Sequence, residues 1–216
     1  MTEFIVHSVP GSPFGRAVLA TLEEKGADYE LRRVAMRTPG HLEMHPFARV
    51  PILQQGEFRL YETQAILRYL DRVLPTPPLT PADPKAAARM DQLMNVCDWY
   101  LFQGVGNVIG FQRVVGPKLL GLTPDEAVIA AALPKGRAVF DQLARDLGEG
   151  PYFVGDQVTL ADLLLASHVD FFRAIPEWEP LAGGHPNLGA WLERMNARPS
   201  MLATTWERAD AMAQAA

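Results

Sequence analysis

The sequence has little cysteine, no long apolar run and no basic stripe. A single cysteine, Cys97, stands among 216 residues, so neither an internal disulfide nor a Cys-x-x-Cys pair can form. Dithiol redox chemistry of the thioredoxin type is thereby disfavoured, and the composition suits a reducing compartment. No apolar stretch reaches the roughly 18 to 20 residues that cross a bilayer as a helix. No basic n-region with an apolar core and cleavage site precedes the first alternating segment, so the expectation is a soluble, cytoplasmic chain with no membrane partner. Twenty Lys and Arg against 25 Asp and Glu leave a net charge of −5. The basic residues are scattered singly, which gives no electrostatic footprint for nucleic acid. There is no internal repeat and no low-complexity tract, and no metal is expected.

What is present is a 48% apolar composition, enough to bury a full core. Phe4-Ile5-Val6 is a short β-rich run ended by Pro10 and Gly11. Ser12 offers an N-cap oxygen, Pro13 suits the first helical position, and Phe14, Val18 and Leu22 mark one buried stripe that Gly26 stops. Tyr29 to Val34 alternates as a second strand, and Thr38 to Pro46 is too broken by Pro and Gly for a long helix. Pro51-Ile52-Leu53 and Phe58 to Tyr61 flank a Gly-containing hairpin connection, after which Ile66, Tyr69, Leu70 and Val73 mark an amphipathic helix. The order β-α-β, then β-β-α, describes a small mixed-sheet α/β domain.

Five prolines between Leu74 and Pro84 suit a linker, and everything beyond reads as helical. A long apolar segment runs from about Lys85 to Arg113. Thr123-Pro124-Asp125-Glu126 reads as a capping box with Pro at the first helical position, and Thr159-Leu160-Ala161-Asp162 opens a further helix in a similar way. Two more helices follow Pro186 and Pro199. The expected division is residues 1–78, a linker 79–84, and an all-helical domain 85–216.

Several residues admit two readings. Ser12 is fully explained as an N-cap, yet its hydroxyl could equally point to a thiolate held where helix amides and the helix dipole favour negative charge. Pro51 after Val50 is either a loop stop or a cis proline turning the Val50 backbone outward to pair with an extended ligand. Glu62-Thr63 is either a helix start or a zwitterion clamp, Glu62 for an ammonium and the Thr63 hydroxyl and N–H for a carboxylate. The aromatic residues Trp99, Tyr100, Phe102 and Phe111 could form core or line an apolar pocket. Cys97 reads as a buried structural residue.

Taken together, four segments resemble the cytosolic glutathione transferases over essentially the whole chain. S-P-F-G-R-A-V-L-A-T-L-E-E-K-G (Ser12 to Gly26) is similar to the active-site turn and first helix of classes that use a serine. R-T-P-G-H-L-E-M-H-P-F-A-R-V-P (Arg37 to Pro51) resembles the loop and cis-proline strand, and Y-E-T-Q-A-I (Tyr61 to Ile66) the element that holds the γ-glutamyl end. G-D-Q-V-T-L-A-D (Gly155 to Asp162) resembles the family's structural capping box. The resemblance implies an α/β thioredoxin-like N-terminal domain, an all-α C-terminal domain and a homodimer, with Phe47 a candidate apolar knob at the dimer contact.

It further implies that glutathione is the cosubstrate and a small electrophile the partner. Ser12 would activate the thiol, the Val50 backbone ahead of Pro51 would pair with the cysteinyl unit, and Glu62 and Thr63 would hold the γ-glutamyl group. Arg37 and Arg49 would face the glycyl carboxylate. Phe14 would contact glutathione and also wall the electrophile pocket, which would lie between the domains against Trp99, Tyr100, Phe102 and Phe111. The chain departs from the family at His45 and Ala48, which replace the Asn and Gly of an N-P-F-G loop, at Thr63 for Ser, and at Met36 for a His. Besides conjugation, the same activated thiol would serve peroxidase, isomerase, lyase or dehalogenase chemistry. A non-catalytic binding module on the same fold is the rival from another class.

Overall fold

The computed structural model describes residues 3–215, apart from the side chain of Leu119. It divides the chain into two compact units, Met1–Leu79 with Asn196–Ala216, and Thr80–Met195. In the first unit, β1 (Phe4–Ser8), β2 (Tyr29–Arg33), β3 (Ile52–Gln55) and β4 (Phe58–Tyr61) form one sheet in the order β2-β1-β3-β4. β1 runs parallel to β2 and antiparallel to β3, and β3 runs antiparallel to β4. The β3–β4 connection is two residues, with Gly56 at φ 58° as a hairpin turn requires.

Helices α1 (Pro13–Glu24) and α3 (Thr63–Val73) pack on each other. Their buried faces, Val18, Leu19 and Leu22 with Ile66, Leu67 and Leu70, join Phe4, Val6 and Leu53 in the core. A short helix, α2 (Pro39–Met44), stands in the stretch that cannot hold a long one. Lys25 ties the end of α1 to Asp71 of α3 at 2.6 Å, and also donates to the carbonyl of Pro77 in the proline-rich connection.

The C-terminal residues group differently from the expected 85–216 domain, because their polar ties run to α1 and β2. Arg198 makes a two-pronged bond to Glu24 at 2.7 and 2.8 Å, and the Ser200 hydroxyl donates to the same carboxylate at 2.5 Å. Burial acts to raise the Glu24 pKa, but the Arg198 and Ser200 bonds outweigh it and leave the carboxyl below its usual range. Arg33 pairs with Asp210 at 2.5 Å.

In the second unit, α4 (Pro84–Val96) passes without a break into a π-helical segment (Cys97–Val115) and then α5 (Gly116–Leu120). The long helix expected from Lys85 to Arg113 thus exists in two windings, the wider one carrying Gly104, Gly106 and Gly110. A Cβ at Gly110 would lie 2.8 Å from the Phe171 ring. The next helix, α6 (Glu126–Leu147), corrects the expected Thr123 cap. Asp125 is the N-cap, accepting from the N–H of Ala127 and Val128 at 2.9 and 3.2 Å. Glu126, the would-be reciprocal partner of Thr123, is instead drawn to Arg113 at 2.5 Å. Helices α7 (Leu160–Arg173), α8 (Trp178–Ala182) and α9 (Pro186–Asn196) complete this unit, and α10 (Pro199–Ala203) and α11 (Trp206–Ala215) belong to the first. Among the described residues, no helix is long and apolar enough to cross a membrane.

Candidate active site

β1 ends at Ser8 and the chain turns through Val9-Pro10-Gly11 into α1. Gly11 sits at φ 85°, and a Cβ there would come within 2.6 Å of the Trp206 indole, so both backbone and neighbour demand glycine. Ser12 is extended (φ −70°, ψ 118°), and its Oγ accepts the Gly15 N–H at 3.2 Å. The hydroxyl therefore serves the cap as an acceptor while its own proton stays available for an anion. No acidic side chain occupies the first turn of α1, so the partial positive charge of the helix start is not neutralised by its own sequence. Gly15 lets the turn close tightly: a Cβ would lie 2.3 Å from the Ser8 Oγ and 3.4 Å from the Ser12 Cβ. Phe14 is half-buried in the same turn. Arg16 donates to the Met201 carbonyl at 3.2 Å, so its guanidinium is engaged with the C-terminal segment.

Strand register brings the distant motifs to one edge. His7 pairs with Ile52 and Ile52 with Tyr61, while Ser8 pairs with Arg33 across the parallel ladder. The chain therefore leaves β1 toward Ser12, leaves β2 toward Arg37, enters β3 from Val50-Pro51 and leaves β4 toward Glu62 at the same end of the sheet. The Val50-Pro51 bond is cis. Glu62 is exposed at φ 71° and makes no side-chain cap to α3, while Thr63 is buried at the first helical position. Arg37 and Arg49 are both exposed.

Backbone strain gathers here as well. Among the described residues, the non-glycine positions with positive φ are Arg37 (62°), Ala48 (51°) and Glu62 (71°), each of which costs an ordinary residue about 1 to 3 kcal/mol. The position where the resembled family keeps glycine thus retains a left-handed backbone with alanine in it. His45, in place of the familiar Asn, is 1% exposed, stacks on Tyr61 with ring centroids 4.5 Å apart, and has its Nδ1 3.3 Å from the Phe47 amide. Burial lowers its pKa against the opposing pull of Glu62.

The four aromatic residues of the second unit do not share one environment. Trp99 and Tyr100 are 69% and 63% exposed. Phe102 is half-buried edge-on to His168 at 5.8 Å, and Phe111 is half-buried. Cys97 is fully buried, which pushes its thiol well above the ordinary range.

Sequence reasoning missed the residues that support this edge from a distance. Trp206 reaches Gly11 from the other end of the chain, and no local pattern marks it. His41, 1% exposed, faces the backbone on both sides of α2. Its place one turn after the Thr38 cap is the only local signal.

Comparison with known proteins fits this geometry. Residues 2–72 match the family model of the glutathione S-transferase N-terminal domain, and residues 107–199 that of the C-terminal domain. Glutathione S-transferase F14 of Arabidopsis thaliana is 33% identical over 198 residues, covering 87% of this chain and 77% of that one. The probable glutathione S-transferase GSTF2 of Oryza sativa subsp. japonica is 32% identical over 187 residues, covering 84% and 86%. The solved structure of glutathione S-transferase III in apo form superposes with a TM-score of 0.83 at 30% identity, covering 94% of this chain and 95% of that one. Their shared architecture is the thioredoxin-like sheet followed by helices described above. The chain belongs to the glutathione S-transferase family, and it is an enzyme that transfers groups to glutathione.

Proposed function

We propose that the C-terminal edge of β1, with its neighbours in the sheet, holds glutathione and presents its thiolate to a small, apolar electrophile. The convergence of Ser12, Val50-Pro51 and Glu62-Thr63 through the β1–β3–β4 register carries this reading. A free thiol titrates near about 8.5, and only the thiolate is a competent nucleophile. Donation from the Ser12 hydroxyl, the first-turn amides near Phe14 and Gly15, and the unneutralised helix start all favour the anion. The sulfur then attacks the electrophile's carbon, the bond to the leaving group breaks, and the thiol proton has already gone to solvent.

Val50 pairs its backbone with the cysteinyl unit, Glu62 takes the γ-glutamyl ammonium, and Thr63 meets the adjoining carboxylate at a helix start. Arg37 and Arg49 meet the glycyl carboxylate. Phe14, half-buried in the first turn of α1, supplies apolar contact for the electrophile.

Retention on immobilised glutathione, followed by turnover with a generic aryl halide, tests the reading as a whole. Binding without turnover across several electrophiles would overturn it in favour of a binding module. Glu62→Gln tests the clamp: the glutathione KM is expected to rise roughly tenfold or more with kcat little changed. An unaltered KM would remove Glu62 from the site.

The active species is a homodimer, and its compartment is the cytoplasm. Phe47 supports the first statement, standing 69% exposed on the loop between α2 and β3 and edge-on to Tyr61. An apolar ring so presented suits a pocket on a second copy. Phe47→Ala is expected to shift the sedimenting species from dimer toward monomer at micromolar concentration. An unaltered dimer would remove Phe47 from the contact.

A further inference from the structure

The His41 ring links two backbone positions that the proposed site needs at a fixed separation. Its Nδ1 accepts the Arg37 N–H at 3.0 Å, and its Nε2 lies 2.9 Å from the Arg49 carbonyl. The first partner can only donate and the second only accept, so the ring is neutral and carries its proton on Nε2. The ring is itself held at its root: the Thr38 Oγ1 accepts the His41 N–H at 3.3 Å and donates to the Ala35 carbonyl at 2.9 Å. Arg37 sits at φ 62°, a conformation that an L residue keeps only when its surroundings enforce it, and the bond from its N–H to the ring is one such constraint.

Both arginine side chains are exposed, while the ring that fixes their backbones is 1% exposed. Two guanidinium groups with defined roots bind one carboxylate with less ordering cost than two on a free loop. We infer that His41 is a positioning residue for the glycyl end of glutathione, holding Arg37 and Arg49 so that both reach one carboxylate. The inference rests on the assignment of those arginines to that carboxylate. Ile52, two residues beyond Val50, is paired with His7 of β1, so the start of the strand that presents Val50 keeps its own anchor when the ring nitrogens are lost.

The test compares glutathione with γ-glutamylcysteine, which keeps the thiol and the γ-glutamyl group but lacks the glycyl carboxylate. His41→Phe keeps a ring and removes both nitrogens. Its glutathione KM is expected to rise about tenfold, with kcat at saturation and the γ-glutamylcysteine KM each within about twofold of the parent. His41→Asn places an acceptor where Nδ1 stood and is expected to recover part of the loss, leaving the glutathione KM about threefold raised. If the phenylalanine variant does not accumulate folded, the asparagine variant reads the same split between the two thiols. Equal KM increases for both thiols, or a lower kcat with KM unmoved, would overturn the positioning role. A parent enzyme that does not prefer glutathione over γ-glutamylcysteine would remove the arginine assignment itself, and the inference with it.

Discussion

Ser12→Ala is expected to lower turnover by about 10²- to 10³-fold while the glutathione KM stays within about threefold. In the proposed site the hydroxyl would meet the tripeptide only at its sulfur, whereas Val50, Glu62, Thr63 and the two arginines would hold the rest. Its lone pair is committed to the Gly15 N–H at 3.2 Å, so what a bound thiolate would lose on substitution is the hydroxyl as a donor. Capping must be separated from chemistry, because alanine at an N-cap also costs about 1 kcal/mol of stability. Ser12→Gly makes that separation, since glycine costs a cap only a few tenths of that amount. Both variants should lose turnover alike although their stabilities differ. The ultraviolet absorbance of bound thiolate should titrate at higher pH in both, toward the value of about 8.5 for a free thiol. A Ser12→Ala enzyme with parental turnover would end this role for the residue.

The largest stability effect is expected at Asp162. Its carboxylate is fully buried and accepts the Phe153 N–H at 3.0 Å, the Thr159 N–H and hydroxyl at 2.9 and 2.8 Å, and the Trp191 Nε1–H at 3.1 Å. One side chain thereby joins the loop before α7, the start of α7 and α9. Burial drives its pKa up and the four donors pull it down, with burial prevailing. Asp162→Ala strands three N–H donors in the interior and is expected to cost about 4 kcal/mol, or roughly 10 °C in Tm. Asp162→Asn, which turns an amino group toward the Thr159 donors, should fall between that variant and the parent. A thermal melt of the alanine variant within about 2 °C of the parent would overturn this account.

The legible parts of the fold are those with local causes. Ser12-Pro13 announces α1 because an N-cap oxygen and a missing N–H are useful only there, and Thr159 with Asp162 announces α7 because a reciprocal capping box satisfies N–H donors that only a helix start leaves open. The candidate site was legible as a set of motifs, and register brings the segments that carry them to one end of the sheet. What local pattern does not carry is the partner a side chain finds far along the chain. Thr123 lost its cap to Asp125 once Glu126 met Arg113, and the Arg16 charge went to the Met201 carbonyl. Glu24 finds Arg198 across 174 positions, which no window on the sequence reveals. The left-handed backbone at Arg37, Ala48 and Glu62 is equally silent, since none of these residues is the glycine that normally signals it.

That long-range tie bears on how the protein is made. The sheet that carries Ser12 is synthesised before the helical unit, yet Trp206 against Gly11, Arg198 on Glu24 and Asp210 on Arg33 belong to residues synthesised after that unit. The helical unit from Thr80 to Met195 has all its own contacts available before that moment. The unit that carries Ser12, although its sheet precedes the helical unit in the sequence, therefore gains its last tertiary ties only after the helical unit's chain has been made.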